Sequence, residues 1–176
     1  LAAFRRDRLG FIFQDCNLLD TLTVFENIAL SLSIVRAPAG EIERRVREMA
    51  TMLGIGDCLD KYPYQISGGQ QQRCAAARAM VTDPALVLAD EPTGALDSKS
   101  AKLLLDRLDT LNRELGATIL MVTHDAFTAS CCRRVVFLRD GQIFLELQRG
   151  GQDRRAFFQR IIRVVSDMGG EMADVW

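Results

Sequence analysis

Two adjacent carboxylates are the residues of this sequence whose chemistry is easiest to interpret. Asp90 and Glu91 directly follow the apolar run Ala85 to Ala89, which has the pattern of a buried parallel strand. Open parallel sheets place ligand sites at the carboxyl ends of their strands. There, one carboxylate can bind a hard cation such as Mg²⁺, while its neighbour points the other way and polarises a water molecule. The alternative is a solvated turn at a strand end.

Two glycines after a serine form a second candidate site. Ser67, Gly68 and Gly69 begin a stretch rich in Gln, Arg and Ala, which predicts a helix. Backbone amides exposed at a helix start, beside the positive end of the helix dipole, suit phosphate oxygens. The same residues could equally form a plain N-cap and turn.

Two further polar side chains follow predicted strands. His124, the single histidine of the chain, comes after the apolar run Ala117 to Val122, and Gln14 comes after Leu9 to Phe13. A lone histidine is usually a packing residue, and a lone glutamine usually belongs to a surface loop. Because parallel strands end at one edge of a sheet, we expect both side chains at the edge that carries the carboxylates.

Alternating strand and helix patterns predict an α/β layered domain that positions these groups. Thr23 and Glu26 have capping-box spacing ahead of a helix that is expected to run through Leu32. The other expected elements are a helix from Glu41 to Gly54, a helix from Ser98 to Leu115, a hairpin from Arg133 to Leu147 turning at Asp140-Gly141, and a helix from Arg154 to Met168. Leu115 is expected on the apolar face of its helix. Ile162 and Val165 are expected to group with Phe157, Phe158 and Ile161.

The composition excludes several classes of protein. The chain has 176 residues, 48% of them hydrophobic, with 22 Lys plus Arg against 23 Asp plus Glu, which predicts one globular domain rather than a disordered polyelectrolyte or a general polyanion binder. Apolar runs are too short for a membrane span, and no signal sequence is evident. The five cysteines are scattered, which favours reduced thiols and a cytoplasmic location.

Five segments in a fixed order resemble the second part of an ABC transporter ATP-binding subunit. They correspond to that family's Q-loop, signature motif, Walker B with its catalytic Glu, D-loop and switch His. In order, they are Gln14, Ile66 to Arg73, Leu86 to Pro92, Gly94 to Asp97 and Thr123 to Asp125.

The resemblance implies a P-loop NTPase-like ABC ATPase core, a parallel sheet flanked by helices. It covers residues 1–150 as a partial ATP-binding domain that is incomplete at the N-terminus. A helical signature subdomain is expected at about residues 17–82. Residues 151–176 are expected to form a C-terminal helical extension, packed on its own domain or at a dimer contact rather than on anionic lipid.

The same resemblance implies binding and hydrolysis of ATP with Mg²⁺. Asp90 would hold Mg²⁺ through water, Glu91 would activate the attacking water, and His124 would contact the γ-phosphate. Gln14 would touch both Mg²⁺ and that water while sensing a membrane subunit. Positioning and charge stabilisation account for most of phosphoryl transfer, so scattered residues can form one site.

The signature and D-loop residues imply a second copy of an ATP-binding subunit. In the family, Ser67 and Gly69, with Gly68 and Gln70 in the same motif, would clasp the nucleotide bound to the opposite subunit. Asp97 would communicate across that dimer interface.

Two stretches indicate a narrower branch of the family. Phe4 to Gln14 and Asn17 to Thr23 resemble lipoprotein-releasing, macrolide-export and cell-division ABC ATPases, and the basic helix after Gly150 resembles the bacitracin-type exporters. This implies export or extraction of a peptide, lipoprotein or antibiotic. A membrane permease would dock beside the segment Gln14 to Leu32, placing the chain at the inner face of the cell membrane.

Two other functions stay open at this stage. One is a regulatory cassette of the cell-division type, and the other is a non-functional gene remnant. A DNA-acting ABC ATPase is disfavoured, and no nucleic-acid partner is expected, because the interval from Gln14 to Ser67 is too short for the long coiled coil of those proteins.

The sequence departs from the family in one respect. A P-loop needs Gly-Lys followed by Ser or Thr, yet none of the glycines precedes a lysine, and the three lysines are Lys61, Lys99 and Lys102. We therefore expect a chain truncated before Leu1 that supplies signatures but no P-loop and does not hydrolyse ATP by itself.

Overall fold

A computed structural model describes residues 8–173, with side chains through residue 168. The family-like stretch from Phe4 to Asp7 lies outside these residues. The helices are α1 (Val24–Ile34), α2 (Ala39–Met52), α3 (Gly68–Met80), α4 (Ser98–Glu114), α5 (Ala126–Ala129) and α6 (Arg154–Ala173). The strands are β1 (Leu9–Phe13), β2 (Leu86–Asp90), β3 (Thr118–Val122), β4 (Arg134–Arg139) and β5 (Gln142–Gln148), and 3₁₀ turns span Gly56–Cys58 and Pro63–Gln65. None of the helices described is long and apolar enough to cross a membrane.

A parallel sheet forms the centre of the first compact unit, residues 1–122. The strand order is β1-β2-β3, with β2 paired in parallel to both neighbours. Phe13, Asp90 and Val122 lie in register at the carboxyl ends of the three strands. The predicted parallel sheet is therefore confirmed, and its three carboxyl ends meet at one edge.

The helices of this unit cover one face of the sheet. Ile12 of β1 and Val87 of β2 are fully buried, and they share a core cluster with Ile28 of α1 and Leu104 of α4. The side chains on the opposite face are exposed; they are Phe11, Phe13, Leu120 and Val122. The apolar run Ala117 to Val122, which predicts a buried strand, forms β3, but Leu120 and Val122 in it are exposed, because within the described residues helices pack against one face only.

Local signals set the helix starts. In α1 the Thr23 hydroxyl accepts from the Glu26 amide at 3.2 Å, and the Glu26 carboxylate accepts from the Thr23 amide at 2.8 Å, which confirms the capping box. This helix extends two residues beyond the predicted Leu32, and α2 starts at Ala39 behind Pro38 rather than at Glu41. Proline suits a helix start because its missing amide would have no partner there.

The apolar face of α4 is shorter than predicted. Leu104, Leu108 and Leu111 are buried, but Leu115 is 43% exposed. Leu115 follows the last helical residue and is the C-cap of the helix, so the helical period no longer aims its side chain at the core.

The second compact unit comprises residues 123–176. It contains α5, the antiparallel β4–β5 hairpin and α6, and the hairpin turns at Asp140 and Gly141 as predicted, both with positive φ. Leu147, Phe157 and Ile161 form its buried core. Ile162 and Val165 are 41% and 49% exposed, so the predicted grouping fails for them. A hairpin and one helical turn cover only a narrow stripe of α6. The expected domain boundary near residue 150 stays a prediction.

Candidate functional site

The register of the sheet brings the predicted carboxylates and Gln14 to one edge. Asp90 is the last residue of β2 and Glu91 follows it, while Gln14 follows Phe13, the β1 partner of Asp90. The Glu91 amide donates to the carbonyl of Val122 at 2.9 Å, which ties the start of this turn to the end of β3. This is the edge at which parallel sheets place their ligands.

Glu91 adopts a backbone conformation that is unfavourable for a residue with a side chain. Its φ is 44°, in the left-handed region, which costs on the order of 1 kcal/mol or more and tends to be kept at functional sites. The turn that follows is held by the bond from the Gly94 amide to the Glu91 carbonyl at 3.0 Å. The strand geometry therefore ends at Asp90, and the division of roles between the two carboxylates stays a prediction.

Gly94 leaves room for the Gln14 side chain. A Cβ at position 94 would lie 3.0 Å from Gln14 Cδ, closer than ordinary van der Waals contact. Gly94 belongs to the predicted D-loop motif, which by itself predicts no structural role for it. Its contact with Gln14 joins two neighbouring loops of the site.

The serine and glycines at the start of α3 form the predicted capped helix. The Ser67 hydroxyl accepts from the Gln70 amide at 3.3 Å, and the Gln70 side chain accepts from the Ser67 amide at 2.9 Å. Within the described residues the amides of Gly68 and Gly69 have no hydrogen-bond partner. The N-cap is therefore present, and two backbone donors stay available at the positive helix end, a suitable place for an anion.

Gly69 also has a packing role that the sequence analysis missed. It is buried, and a Cβ there would lie 2.8 Å from the hydroxyl oxygen of Ser100 in the first turn of α4. The signature helix and α4 thus approach each other at a position where only glycine fits. No local pattern marks Ser100, because the approach joins segments about thirty residues apart.

Asp97 is the N-cap of α4. Its carboxylate accepts from the Lys99 and Ser100 amides, each at 3.0 Å. Hydrogen bonds from the Ser100 hydroxyl, and from the Ser100 and Lys99 amides, lower the pKa of Asp97. The predicted D-loop aspartate is therefore ionised and fixed at the helix end that Gly69 touches.

His124 lies in the second unit, two residues after β3, and is exposed. The next residue, Asp125, caps α5 by accepting from the Thr128 amide at 2.8 Å and the Phe127 amide at 3.2 Å. Burial raises the pKa of Asp125, but hydrogen bonds from the Thr128 hydroxyl and these amides outweigh burial, so the pKa is lowered. Asp125 thus holds the backbone immediately after His124.

The side chains at the sheet edge fit a Mg²⁺ ion by their chemistry. Asp90, Glu91 and Gln14 offer only oxygen as metal donors, the ligand type that Mg²⁺ prefers. The described residues contain no cluster of three or more His, Cys, Asp or Glu that could enclose a metal. A site made of two carboxylates and one amide, without a full protein cage, agrees with the way Mg²⁺ is commonly bound, by one or two carboxylates together with phosphate oxygens.

Comparison with known proteins decides the family. Residues 2–94 match the family model described as ABC transporter. The chain is also 53% identical over 174 residues to the bacitracin export ATP-binding protein of Halalkalibacterium halodurans, which covers 99% of this chain and 69% of the relative. The chain belongs to the ABC transporter ATP-binding family.

Other members of the ABC transporter family agree with this assignment. The chain is 47% identical over 146 residues to a macrolide export ATP-binding/permease protein of Syntrophobacter fumaroxidans, covering 81% of this chain and 20% of the relative. A dimeric ATP-binding cassette of Methanocaldococcus jannaschii, bound to ADP and phosphate, matches with a TM-score of 0.74 and 40% identity. That match covers 85% of this chain and 66% of the cassette.

These comparisons confirm the predicted family and its P-loop NTPase-like α/β fold. They imply a nucleotide ligand. The chain spans about two thirds of the length of the bacitracin export relative and of the solved cassette.

Proposed function

We propose that this chain is the ATP-binding and ATP-hydrolysing part of an ABC transporter that exports or extracts a peptide, lipoprotein or antibiotic. The observation that carries the proposal is the register that brings Gln14 and the Asp90–Glu91 pair to one sheet edge. The identity with a bacitracin export ATP-binding protein supports the choice of substrate class.

In this proposal each residue at the sheet edge has a separate task. Asp90 would hold Mg²⁺ through water, and the ion would supply positive charge opposite the phosphates. Glu91, fixed by its bond to Val122, orients the attacking water and accepts its proton. Gln14 contacts the same water. His124 donates a hydrogen bond to the γ-phosphate, whose charge grows towards the transition state.

The signature helix would serve a nucleotide on a second ATP-binding subunit. The unpartnered amides of Gly68 and Gly69 would donate to the γ-phosphate, with Ser67 and Gln70 holding the helix start in place. Asp97 would lie at the dimer interface. The dimer would dock on a membrane permease at the inner face of the cell membrane.

Hydrolysis would need a P-loop that these 176 residues do not contain. None of their glycines precedes a lysine, so two copies would contribute two signatures and no lysine to neutralise the β- and γ-phosphates. We therefore propose that the chain hydrolyses no ATP on its own.

A chimera tests this function. A segment that carries a P-loop, with Gly-Lys followed by Ser or Thr, would be fused before Leu1. We expect the chimera to hydrolyse MgATP and the 176-residue chain to be inactive. Glu91→Gln should lower turnover of the chimera by about a hundredfold or more, because a general base contributes that much.

Glu114→Gln is the matched control, since Glu114 is an exposed carboxylate at the end of α4. It should leave turnover unchanged. A folded chimera that hydrolyses ATP equally well with Glu91→Gln would refute the assignment of Glu91, and hydrolysis by the unfused chain would refute the need for a P-loop.

A further inference from the structure

The turn after β1 has a strained backbone. Cys16 and Asn17 are consecutive, both carry side chains, and both have positive φ, 57° and 48°. Two left-handed residues in a row are unfavourable without glycine and persist only where surrounding groups hold them. The turn also carries Gln14, whose side-chain amide has no hydrogen-bond partner within the described residues. The place of Gln14 is therefore set by the backbone of this turn and by the close approach of Gly94.

Gln72 of α3 holds the first half of the turn. It is 1% exposed. Its side-chain nitrogen donates to the Phe13 carbonyl at 2.8 Å, and its side-chain oxygen accepts from the Cys16 thiol at 2.6 Å. Both polar ends of a buried amide are thus used on residues that flank Gln14.

Arg78, two turns further along α3, holds the second half. Its guanidinium donates to the Cys16 carbonyl at 2.8 Å and to the Asn17 carbonyl at 2.6 Å. Burial lowers the pKa of this guanidinium, yet arginine stays charged in proteins, so these are charge-assisted hydrogen bonds. They fall on the two residues with left-handed backbone.

The strand itself also contacts this helix closely. Gly10 of β1 packs so tightly on the backbone of α3 that a Cβ at position 10 would collide with the carbonyl oxygen of Ala79. The strand before the turn and the turn itself are therefore both attached to α3, the helix that starts at Ser67, Gly68 and Gly69.

We propose that Gln72 and Arg78 are positioning residues that make the Gln14 turn and the signature helix move as one body. The proposal rests on the function proposed above, in which Gln14 faces one nucleotide and the start of α3 faces another. A displacement of the signature end of the helix would then move Gln14 directly, without passing through the sheet.

Peptide-resolved hydrogen exchange on the 176-residue chain tests the attachment without nucleotide. Arg78→Met should speed exchange of residues 14–17 by about tenfold or more, because two hydrogen bonds from a charged group are lost, while β2 peptides keep their rate. Arg78→Lys should restore part of the protection. Arg107→Met, which removes a half-buried arginine from α4, is the matched control and should not affect the turn.

The Cys16 thiol gives a second, independent signal. Burial raises its pKa from 9.0 to about 11. Gln72→Ala should open the thiol to water and shift the pH profile of its alkylation to lower pH. Full return to the ordinary pKa would raise the thiolate fraction at pH 8 about a hundredfold, so we expect an increase of about tenfold to a hundredfold.

Gln71→Ala is the matched control for the alkylation experiment. The Gln71 side chain donates to the Pro63 carbonyl at 2.9 Å, away from the turn. Mass spectrometry of each cysteine peptide separates Cys16 from Cys131 and Cys132, which should keep their rates.

Faster exchange throughout residues 8–122 would show loss of stability alone and would overturn the positioning role. An unchanged turn in both Arg78→Met and Gln72→Ala would overturn it as well. Neither readout uses ATP, so an inactive chimera would count against the proposed function and leave this inference standing.

Discussion

Asn27 provides the sharpest test of how the segment between the Gln14 turn and α1 is held. Its side chain is fully buried. The amide nitrogen donates to the carbonyls of Leu19, Leu22 and Thr23, each at 3.0 Å, and the amide oxygen accepts from the Leu19 amide at 2.9 Å. Asn27→Asp keeps the shape of the side chain and removes both N–H donors. The Leu22 carbonyl then loses its partner, whereas the carbonyls of Leu19 and Thr23 keep the bonds that they accept from the backbone amides of Leu22 at 3.1 Å and Asn27 at 2.9 Å.

The penalty follows from these contacts. An unsatisfied buried polar group costs about 1–3 kcal/mol. One carbonyl is left unsatisfied, two others lose one of their bonds, and the new carboxylate is a buried charge, so we expect a destabilisation of about 2–4 kcal/mol at pH 7.5. The buried carboxyl would face carbonyl oxygens, which raises its pKa above the ordinary value near 3.9.

The sign of the pH dependence is opposite to that of an ordinary salt-bridged aspartate. Because the folded state would bind the new proton more tightly, the variant should recover stability relative to wild type as pH falls below the raised pKa. The recovery should be about 1.4 kcal/mol per pH unit, ending below the unfolded pKa. Protonation returns one O–H donor to the carbonyls.

The difference in free energy of unfolding between variant and wild type is measured in urea between pH 4.5 and 7.5. Hydrogen exchange of peptides from α1 and β2 is the probe of unfolding. Ser33→Ala is the control on the same helix; the Ser33 hydroxyl donates to the Ala29 carbonyl at 3.0 Å at an exposed position. A penalty for Asn27→Asp below about 0.5 kcal/mol, the range of ordinary surface changes, would refute the reasoning, and so would a penalty independent of pH.

Two further substitutions test the packing of each unit. Gly10→Ala should lower the free energy of unfolding by several kcal/mol and abolish cooperative unfolding of the first unit. The added Cβ collides with the backbone at Ala79, which cannot move without shifting α3. A thermal melt by circular dichroism close to that of wild type would contradict this. Phe157→Ala should cost about 3–5 kcal/mol. Within the described residues, the fully buried part of the second core consists of Leu147, Phe157 and Ile161. Hydrogen exchange should therefore rise throughout residues 123–168 and stay unchanged in β2, whereas a local rise alone would contradict the expectation.

The features that sequence predicted well depend on neighbours along the chain. Thr23 and Glu26 are three residues apart, so their capping box was predicted from the sequence and is present in the structure. For Ser67 the N-cap was predicted, and the structure adds the bond back from Gln70 that completes a second capping box. The positions of Gln14 and the carboxylate pair were predicted from one rule, that parallel strands end at a common edge. That rule needs strand direction but no side-chain contact.

The features that sequence missed depend on contacts between distant segments. Gln72 and Gln71 are adjacent and identical in type, yet one is buried on the Gln14 turn and the other contacts Pro63. Asn27 looks like a polar residue of an amphipathic helix, but it faces inward. Periodicity shows which side of a helix is apolar and does not show which polar group will find a partner there.

The approach of Gly69 to Ser100 has a consequence for interpreting genetic data on the signature motif. Any side chain introduced at Gly69 meets Ser100 of α4, so loss of activity in such a mutant would combine a packing defect with any loss of the proposed nucleotide contact. Gly68 differs, since a Cβ there meets no atom within 4 Å. A substitution at Gly68 therefore tests the proposed ligand contact without a packing clash. Comparing mutants at the two glycines separates a defect in folding from a defect in ligand binding.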